Sequence, residues 1–510
     1  MGCSLLNLPN ELLLHVASQS FVYEALWLTS TCKRLRKLGL ESSALWHAVL
    51  EHIPAPFAPG LTPRNASAAQ LRATALAAAA AHVRWSRSRV QVGVKKHIQL
   101  TSSTPGDTSS VIVFRIIRGG RWAVTCTPSG RVVLWDLETG TPAARHQIIC
   151  NPYALETRTT MVDEDEDACG AVLGVYFPAS GKRYLNVLRI ELEPPRIEDV
   201  AKKEISNAKI PFALGVSGSA RRVAAARMDA STHLVDLFVW DYHANVDIRL
   251  RTDCVYLIHL SVLHMRLTDD MLLLYGTKGP DELTISAVTL PPGALSTIRA
   301  RKEDKAHHSC FERPYFVAGV PGYIPMPMSL PLSSASTSTS TAVSFFLRTP
   351  RGASFTHHRF LLSSPEDMAT GPLVRPITLT LSRASLAGDP RVGGGSHGAS
   401  PILGALAKRA MWVARGRLYA CSLSWEPDTG EVLSGEGDPR AGQGVNEGPN
   451  MCAGSGGAVG KGAVEEEPRE MLLPADVSRA LGSAQQIAYD EAWSVVGVAS
   501  DDARIWVMWY

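Results

Sequence analysis

A strand–turn–strand unit recurs along this chain and constrains its fold more than any bulk property does. Trp122-Ala123-Val124-Thr125 runs into a Pro128-Ser129-Gly130 turn and then into Val132-Val133-Leu134-Trp135-Asp136. Near the far end, Trp493-Ser494-Val495-Val496 is followed by Ser500-Asp501-Asp502 and then by Ile505-Trp506-Val507-Met508-Trp509. The two tryptophans of each unit lie 13 positions apart, with a polar turn between two apolar runs. A third unit, Arg222-Val223-Ala224 through Phe238-Val239-Trp240-Asp241, has a longer turn. One such hairpin cannot bury its apolar faces alone, so the units must stack on one another. Short alternating runs separated by Gly, Pro, Asp and Ser continue from about residue 111 to the end, which predicts an all-β region.

The strand clusters centre on 111–137, 170–192, 211–241, 255–290, 341–362, 403–424 and 485–509, about seven units. Trp135-Asp136 and Trp240-Asp241 end apolar strands as in WD-type β-propeller blades, which the region 90–510 resembles loosely. The resemblance implies a propeller of degenerate blades, since most units lack the dipeptide and the Gly-His opening is missing. Its tryptophans are expected to pack between blades. The last unit is short of an outer strand, and the alternating Val90-Gln91-Val92-Gly93-Val94 is predicted to supply it, closing the ring and removing two sheet edges. Three stretches poor in apolar residues are expected to be disordered loop insertions. They are about 330–342, with the Ser/Thr tract Ser333–Thr341, then about 385–400 and about 430–468.

Ahead of the β-region, residues 1–54 read as a small helical domain. Leu5, Leu8, Leu12, Leu13 and Val16 recur at helical spacing, with Pro9 and Glu11 suited to an opening turn. Val22, Ala25 and Leu26 mark a second helix. Cys32, Leu35 and Leu38 mark a third, which Ser30 is placed to cap. Leu45, Trp46, Val49, Leu50 and Ile53 mark a fourth, capped by Ser42 or Ser43 and ended by Pro54. Residues 55–89 then form a Pro-rich and Ala-rich connector with strong helix propensity from Ala66 to Trp85. Between Glu51 and Asp107 there is no acidic residue, against Arg64, Arg72, Arg84, Arg87, Arg89, Lys95 and Lys96. Such a run predicts a solvated linker helix, the sharper alternative being a docking face for an acidic partner or nucleic acid. The whole chain carries a net charge of only +3, so nucleic acid is not an expected partner.

Every constellation that carries chemistry fails a requirement of that chemistry. Gly454–Gly462 resembles a phosphate loop, but Ser455 replaces its first glycine and Gly462 the magnesium-holding hydroxyl residue. Asp163-Glu164-Asp165-Glu166-Asp167 has the carboxylates of a calcium loop, but Ala168 and Gly174 stand where the glycine and the bidentate glutamate belong. His307-His308-Ser309-Cys310 and His357-His358 lack zinc-site spacing. There is no GxSxG elbow, HExxH or dinucleotide fingerprint. No catalytic residue, cofactor or metal is therefore predicted, and the chain is expected not to be an enzyme. Nine single cysteines without a CxxC pair suggest a reducing compartment. With no signal-peptide pattern and no apolar run of membrane-spanning length, the cytoplasm or nucleus is the expected location.

Three motifs in order then stand out at the N-terminus: Leu8-Pro9-Asn10-Glu11-Leu12, Thr31-Cys32-Lys33-Arg34-Leu35 and Leu45-Trp46. Together they resemble an F-box, with Leu35 where many members place Trp. The resemblance implies docking to a Skp-type adaptor, and through it to a cullin, a RING subunit and a ubiquitin-charged enzyme. Leu8, Pro9, Leu12, Leu13, Leu26, Cys32, Leu35, Leu45 and Trp46 are the expected docking set, some of them holding the helices to each other. A helical unit this small cannot bury all its leucines, so a leftover apolar face should seek a partner. The fold class expected overall is α+β and multidomain: F-box, helical connector, propeller. The function that the resemblance implies is the substrate-recognition adaptor of an SCF-type ubiquitin ligase, its propeller binding an unidentified target protein. A propeller scaffold without ubiquitin ligation is the alternative.

Overall fold

The computed structural model describes residues 8–18, 20, 22–50, 55–58, 61–85, 92, 95–99, 111, 113–117, 119–149, 160–164, 170–179, 182–205, 213–218, 220–228, 234–255, 264–267, 271–279, 282–289, 315–321, 324–325, 332–337, 340–348, 355–363, 377–381, 402–403, 409–414, 417–422, 469–481, 484–500 and 504–510. Helices α1 (Asn10–Ser18), α2 (Val22–Thr31), α3 (Lys33–Glu41), α4 (Ser43–Leu50) and α5 (Ala68–Trp85) precede the strands, and α6 (Ala475–Leu481) interrupts them.

The described strands form seven antiparallel sheets that follow one another along the chain, the architecture of a β-propeller. The first blade runs Val113–Ile117, Trp122–Cys126, Arg131–Asp136 and Thr141–Gln147, hydrogen-bonded in chain order. Sheets spanning 160–204, 213–255, 264–321 and 402–470 repeat that four-stranded meander, and 324–381 adds a fifth strand. Residues 484–509 supply only three strands, and Lys95–Gln99 completes that sheet against Arg504–Trp509.

A blade buries both its faces against neighbouring blades, so its middle strands are apolar throughout, whereas its outer strand alternates toward solvent. Trp122–Cys126 and Val495–Ser500 are buried at every position, while Pro195–Glu204 is mostly exposed. The core accordingly lies in layers between blades. Trp122, Leu134, Leu173, Phe177 and Leu188 join the first two blades, and Tyr176, Val187, Val223 and Trp240 join the second and third. Trp135, Phe114, Val495 and Val507 join the first blade to the closing one. Contact there is so close that a Cβ on Gly497 would run into the Phe114 ring. The Trp-Asp endings have a local cause as well. Asp136 Oδ1 accepts the amides of Glu138 and Thr139 at 2.8 and 3.4 Å, and Asp241 Oδ1 accepts those of His243 and Ala244 at 3.0 and 2.8 Å. Each carboxylate thereby fixes the turn into the outer strand.

Three expectations change. The strand that completes the last sheet is Lys95–Gln99, and the expected segment 90–94 lies outside the described residues except for Val92. Ile98 is buried opposite Ile505, and His97 stacks on Trp506 with centroids 4.6 Å apart, whereas Val92 packs beside Met471 and Leu473. Part of the expected loop at 330–342 is paired: Leu332–Thr337 joins Ser340–Arg348, with Leu332 opposite Val343. A backbone ladder needs no apolar side chains, and threonine favours the pleat. The 385–400 and 430–468 insertions lie outside the described residues, as do Gly454–Gly462 and His307–Cys310.

The connector is the third. α5 is no solvated linker: Leu71, Thr74, Ala75, Ala78, Ala81 and Trp85 are buried. Leu71, Ala75 and Ala66 share one core with Ala17, Val22, Ala25, Leu45, Trp46, Val49 and Leu50. The boundary expected at 54/55 therefore falls within a single five-helix module. Alanine permits this, because its small side chain lets α5 lie close against α2, α3 and α4.

Candidate functional site

The helical module is assembled by local rules that can be followed residue by residue. Pro9 precedes α1, and its carbonyl accepts the Leu13 amide at 3.1 Å. Cys32, in extended conformation, separates α2 from α3 and caps α3 without a side-chain hydrogen bond, so Ser30 is not the cap. The Ser30 hydroxyl instead donates back to the Leu26 and Trp27 carbonyls, both at 2.8 Å. Ser42 Oγ accepts the Leu45 amide at 3.2 Å and opens α4. Ser67 and Gln70 exchange hydrogen bonds, Ser67 N to Gln70 Oε1 at 2.8 Å and Gln70 N to Ser67 Oγ at 3.3 Å, a capping box that starts α5.

Two of the three sequence motifs meet directly, and the third is anchored to α3. Arg34 Nη2 donates to the Leu8 carbonyl at 2.8 Å and to Asn10 Oδ1 at 2.9 Å, clamping the start of α1 to α3. The fully buried Trp46 donates its indole N–H to the Gly39 carbonyl at 2.7 Å. Gly39 is required there, since a Cβ would approach Thr29 Cβ to 2.7 Å.

Burial divides the expected docking set. Leu13, Leu35, Leu45 and Trp46 are buried and hold the helices together. Leu8, Leu26 and Cys32 are half-buried, and Pro9 is exposed. Leu12 is 50 % exposed, and Val16, one turn further along the same face, is 41 % exposed. Val16, Tyr23, Trp27, Leu40, Leu76 and Val83 are exposed apolar residues outside the expected set. Lys33, Arg34, Arg36 and Lys37 expose a basic face on α3, with Glu11, Glu24 and Glu41 the described acidic residues of the module.

The module is held to the propeller at the end of α5. Trp85 is buried among Met411, Leu418, Trp506 and Tyr510, its ring 5.2 Å from that of Tyr510. The guanidinium of buried Arg409 lies over the Trp85 ring at 4.8 Å. Arg409 Nη1 donates to the Glu491 carbonyl at 3.4 Å, and its Nε lies 3.9 Å from the buried Glu491 carboxylate. Tyr489 and Tyr510 share a hydroxyl hydrogen bond of 2.8 Å, and burial pushes both phenols above their usual range.

Elsewhere, a cleft of about 430 Å³ between the first two blades is lined by Arg121, Trp122, Asp136, Leu192 and Glu193. Burial alone would raise the Asp136 carboxyl, but Arg121 Nη2 at 2.9 Å and the two turn amides outweigh it and hold it low. A carboxylate held ionised by its partners stabilises a turn and is poorly suited to proton transfer. Among the described residues no group of three His, Cys, Asp or Glu could hold a metal, and no helix is long and apolar enough to cross a membrane.

No family model matches the chain, and no curated protein does. Among the solved structures that resemble it are two at 12 % identity. The β-propeller domain of Myceliophteria thermophila Cps50 (Swd1) gives a TM-score of 0.43 over 81 % of this chain and 99 % of that one. Kuenenia stuttgartiensis hydrazine synthase gives 0.37 over 63 % and 79 %.

Proposed function

We propose that the helical module is an F-box and that the chain is the substrate-recognition adaptor of an SCF-type ubiquitin ligase. In this reading α1 docks a Skp-type adaptor, and a seven-bladed propeller, closed by the strand ahead of it, presents a protein target for ubiquitin transfer. The observation that carries it is the exposed Leu12–Val16 face, adjoining Pro9, on a module in which the motif residues Leu35, Leu45 and Trp46 are buried. Apolar side chains left outside a filled core are what a partner covers. The buried junction at Trp85 supports it too, since a target on the propeller would be held at a fixed position relative to the docking face. Catalysis belongs to other subunits of such a ligase.

The test is co-purification with the Skp-type adaptor from the full chain carrying Leu12→Ser and Val16→Ser. Both sites are exposed, so the melting temperature should stay close to that of the parent while adaptor recovery falls about tenfold or more. Equal recovery from parent and variant overturns the reading. Trp46→Ala is the contrasting variant: it should lose the adaptor only together with its folded helical signal.

A further inference from the structure

The exposed apolar surface of the helical module does not end at Leu12 and Val16. On α2, Tyr23 and Trp27 share a face one turn apart, and Trp27 is 73 % exposed. On α5, Leu76 and Val83 are 47 % and 53 % exposed, with exposed Ala73, Ala77 and Ala80 on the turns around them. The two helices pack on each other, and the Tyr23 ring stacks on His82 of α5 with centroids 6.3 Å apart. None of these residues belongs to the three N-terminal motifs, and α1 packs on α2 and α4 while α5 packs on α2, α3 and α4. An indole left this exposed, on a helix packed against one with two exposed aliphatic side chains, belongs to a surface of the kind that partners cover.

Charge says what kind of partner. α5 contains no acidic residue, and Arg72 and Arg84 stand at either end of its apolar face, with exposed His82 beside Val83. A second copy of this chain fits poorly. An antiparallel pairing of two α5 helices brings Arg72 against Arg84, a parallel one brings each arginine against itself, and both are repulsive. A nucleic acid would need the cations at the centre of the surface, where leucine, valine and alanine stand instead. We propose that the α2/α5 surface docks an amphipathic helix of another protein, its apolar stripe covering Trp27, Leu76 and Val83 and its acidic flanks meeting Arg72 and Arg84. Leu76, Ala80 and Val83, at i, i+4 and i+7, line one exposed face of α5 along which such a helix can pack.

The experiment titrates the full chain with two fluorescein-labelled helical peptides that share a leucine stripe, one flanked by glutamate and one by lysine. The glutamate peptide is expected to bind saturably and about tenfold or more tighter than its lysine twin, a gap that shrinks as salt is raised. Trp27→Ser and Leu76→Ser, each at an exposed site and checked by circular dichroism, should weaken it about tenfold or more. The double variant Arg72→Glu/Arg84→Glu should reverse the preference between the peptides, a result that loss of folding cannot give. Absence of binding, equal binding of the twins, or affinity unchanged in the serine variants overturns the proposal. So does pelleting of the parent, but not of Trp27→Ser, with phosphatidylserine vesicles, which marks a lipid-facing surface. A parent dimer dissociated by Trp27→Ser marks self-association and overturns it as well. Loss of the Skp-type adaptor from Trp27→Ser would assign this surface to the adaptor, an outcome separate from that of the Leu12/Val16 variant.

Discussion

Trp85→Ala removes the side chain that joins the helical module to the propeller, and its cost can be worked from the contacts. The indole is 3 % exposed and lies among Met411, Leu418, Trp506 and Tyr510. Emptying a buried aromatic site costs about 3–5 kcal/mol, from lost transfer energy and the cavity that remains. Arg409 is itself buried and loses the ring beneath its guanidinium, a contact worth about 2 kcal/mol when desolvated. Because the cavity would open at the joint, the loss should appear on both sides of it. Hydrogen exchange read by mass spectrometry should show reduced protection in Ala68–Trp85 and, together with it, in Arg409–Ala414 and Arg417–Ser422. A double-mutant cycle with Arg409→Met should give a coupling of about 0.5–2 kcal/mol between the two side chains. An exchange change confined to α5, or a loss below about 1 kcal/mol, would refute the view that Trp85 couples the two units.

Two further outcomes follow from the β-region. Ile98→Asp places a charge at a site 2 % exposed and should cost several kcal/mol, lowering the melting temperature of the whole β-region, because Lys95–Gln99 closes its ring; a variant that melts like the parent would show that closure contributes little. Asp136 is held below the usual carboxylate range against its own burial, so its contribution to stability is present above the unfolded-state value and is lost as pH falls through the folded one. The melting-temperature gap between parent and Asp136→Asn should therefore be widest near neutral pH and narrow in acid, and a gap that does not change with pH would count against the Arg121–Asp136 pair as its source.

What the residues disclose in advance depends on how local the deciding interaction is. The repeated unit at 122–136 and 493–509 was readable because each strand pairs with its neighbour in sequence, so turn residues and apolar runs alternate within a short window. Ring closure was readable only in kind. The need for an outer strand follows from the short final unit, but which five residues fill it is decided by Ile505 and Trp506, some 400 positions away. The Ser/Thr tract misled for a related reason: low apolar content argues against a core, not against a ladder of backbone hydrogen bonds.

The helical module shows the same limit at the scale of a side chain. Periodicity in α1 places Leu12, Leu13 and Val16 on a helix without saying which face is covered, and Leu13 is buried while its neighbour Leu12 is half exposed. The first seven residues of α2 are apolar except for Glu24, so no spacing separates buried Ala25 from exposed Trp27. The deciding partner is α5, whose alanines carry almost no hydrophobic pattern of their own and read as a linker for that reason. Once α5 is in place, Leu45, Trp46 and Leu50 are satisfied within the chain, and the residues still open to a partner are those the core has no room for. The exposed apolar surface is thus defined by subtraction: it is what remains of an apolar module after its fifth helix has filled the middle.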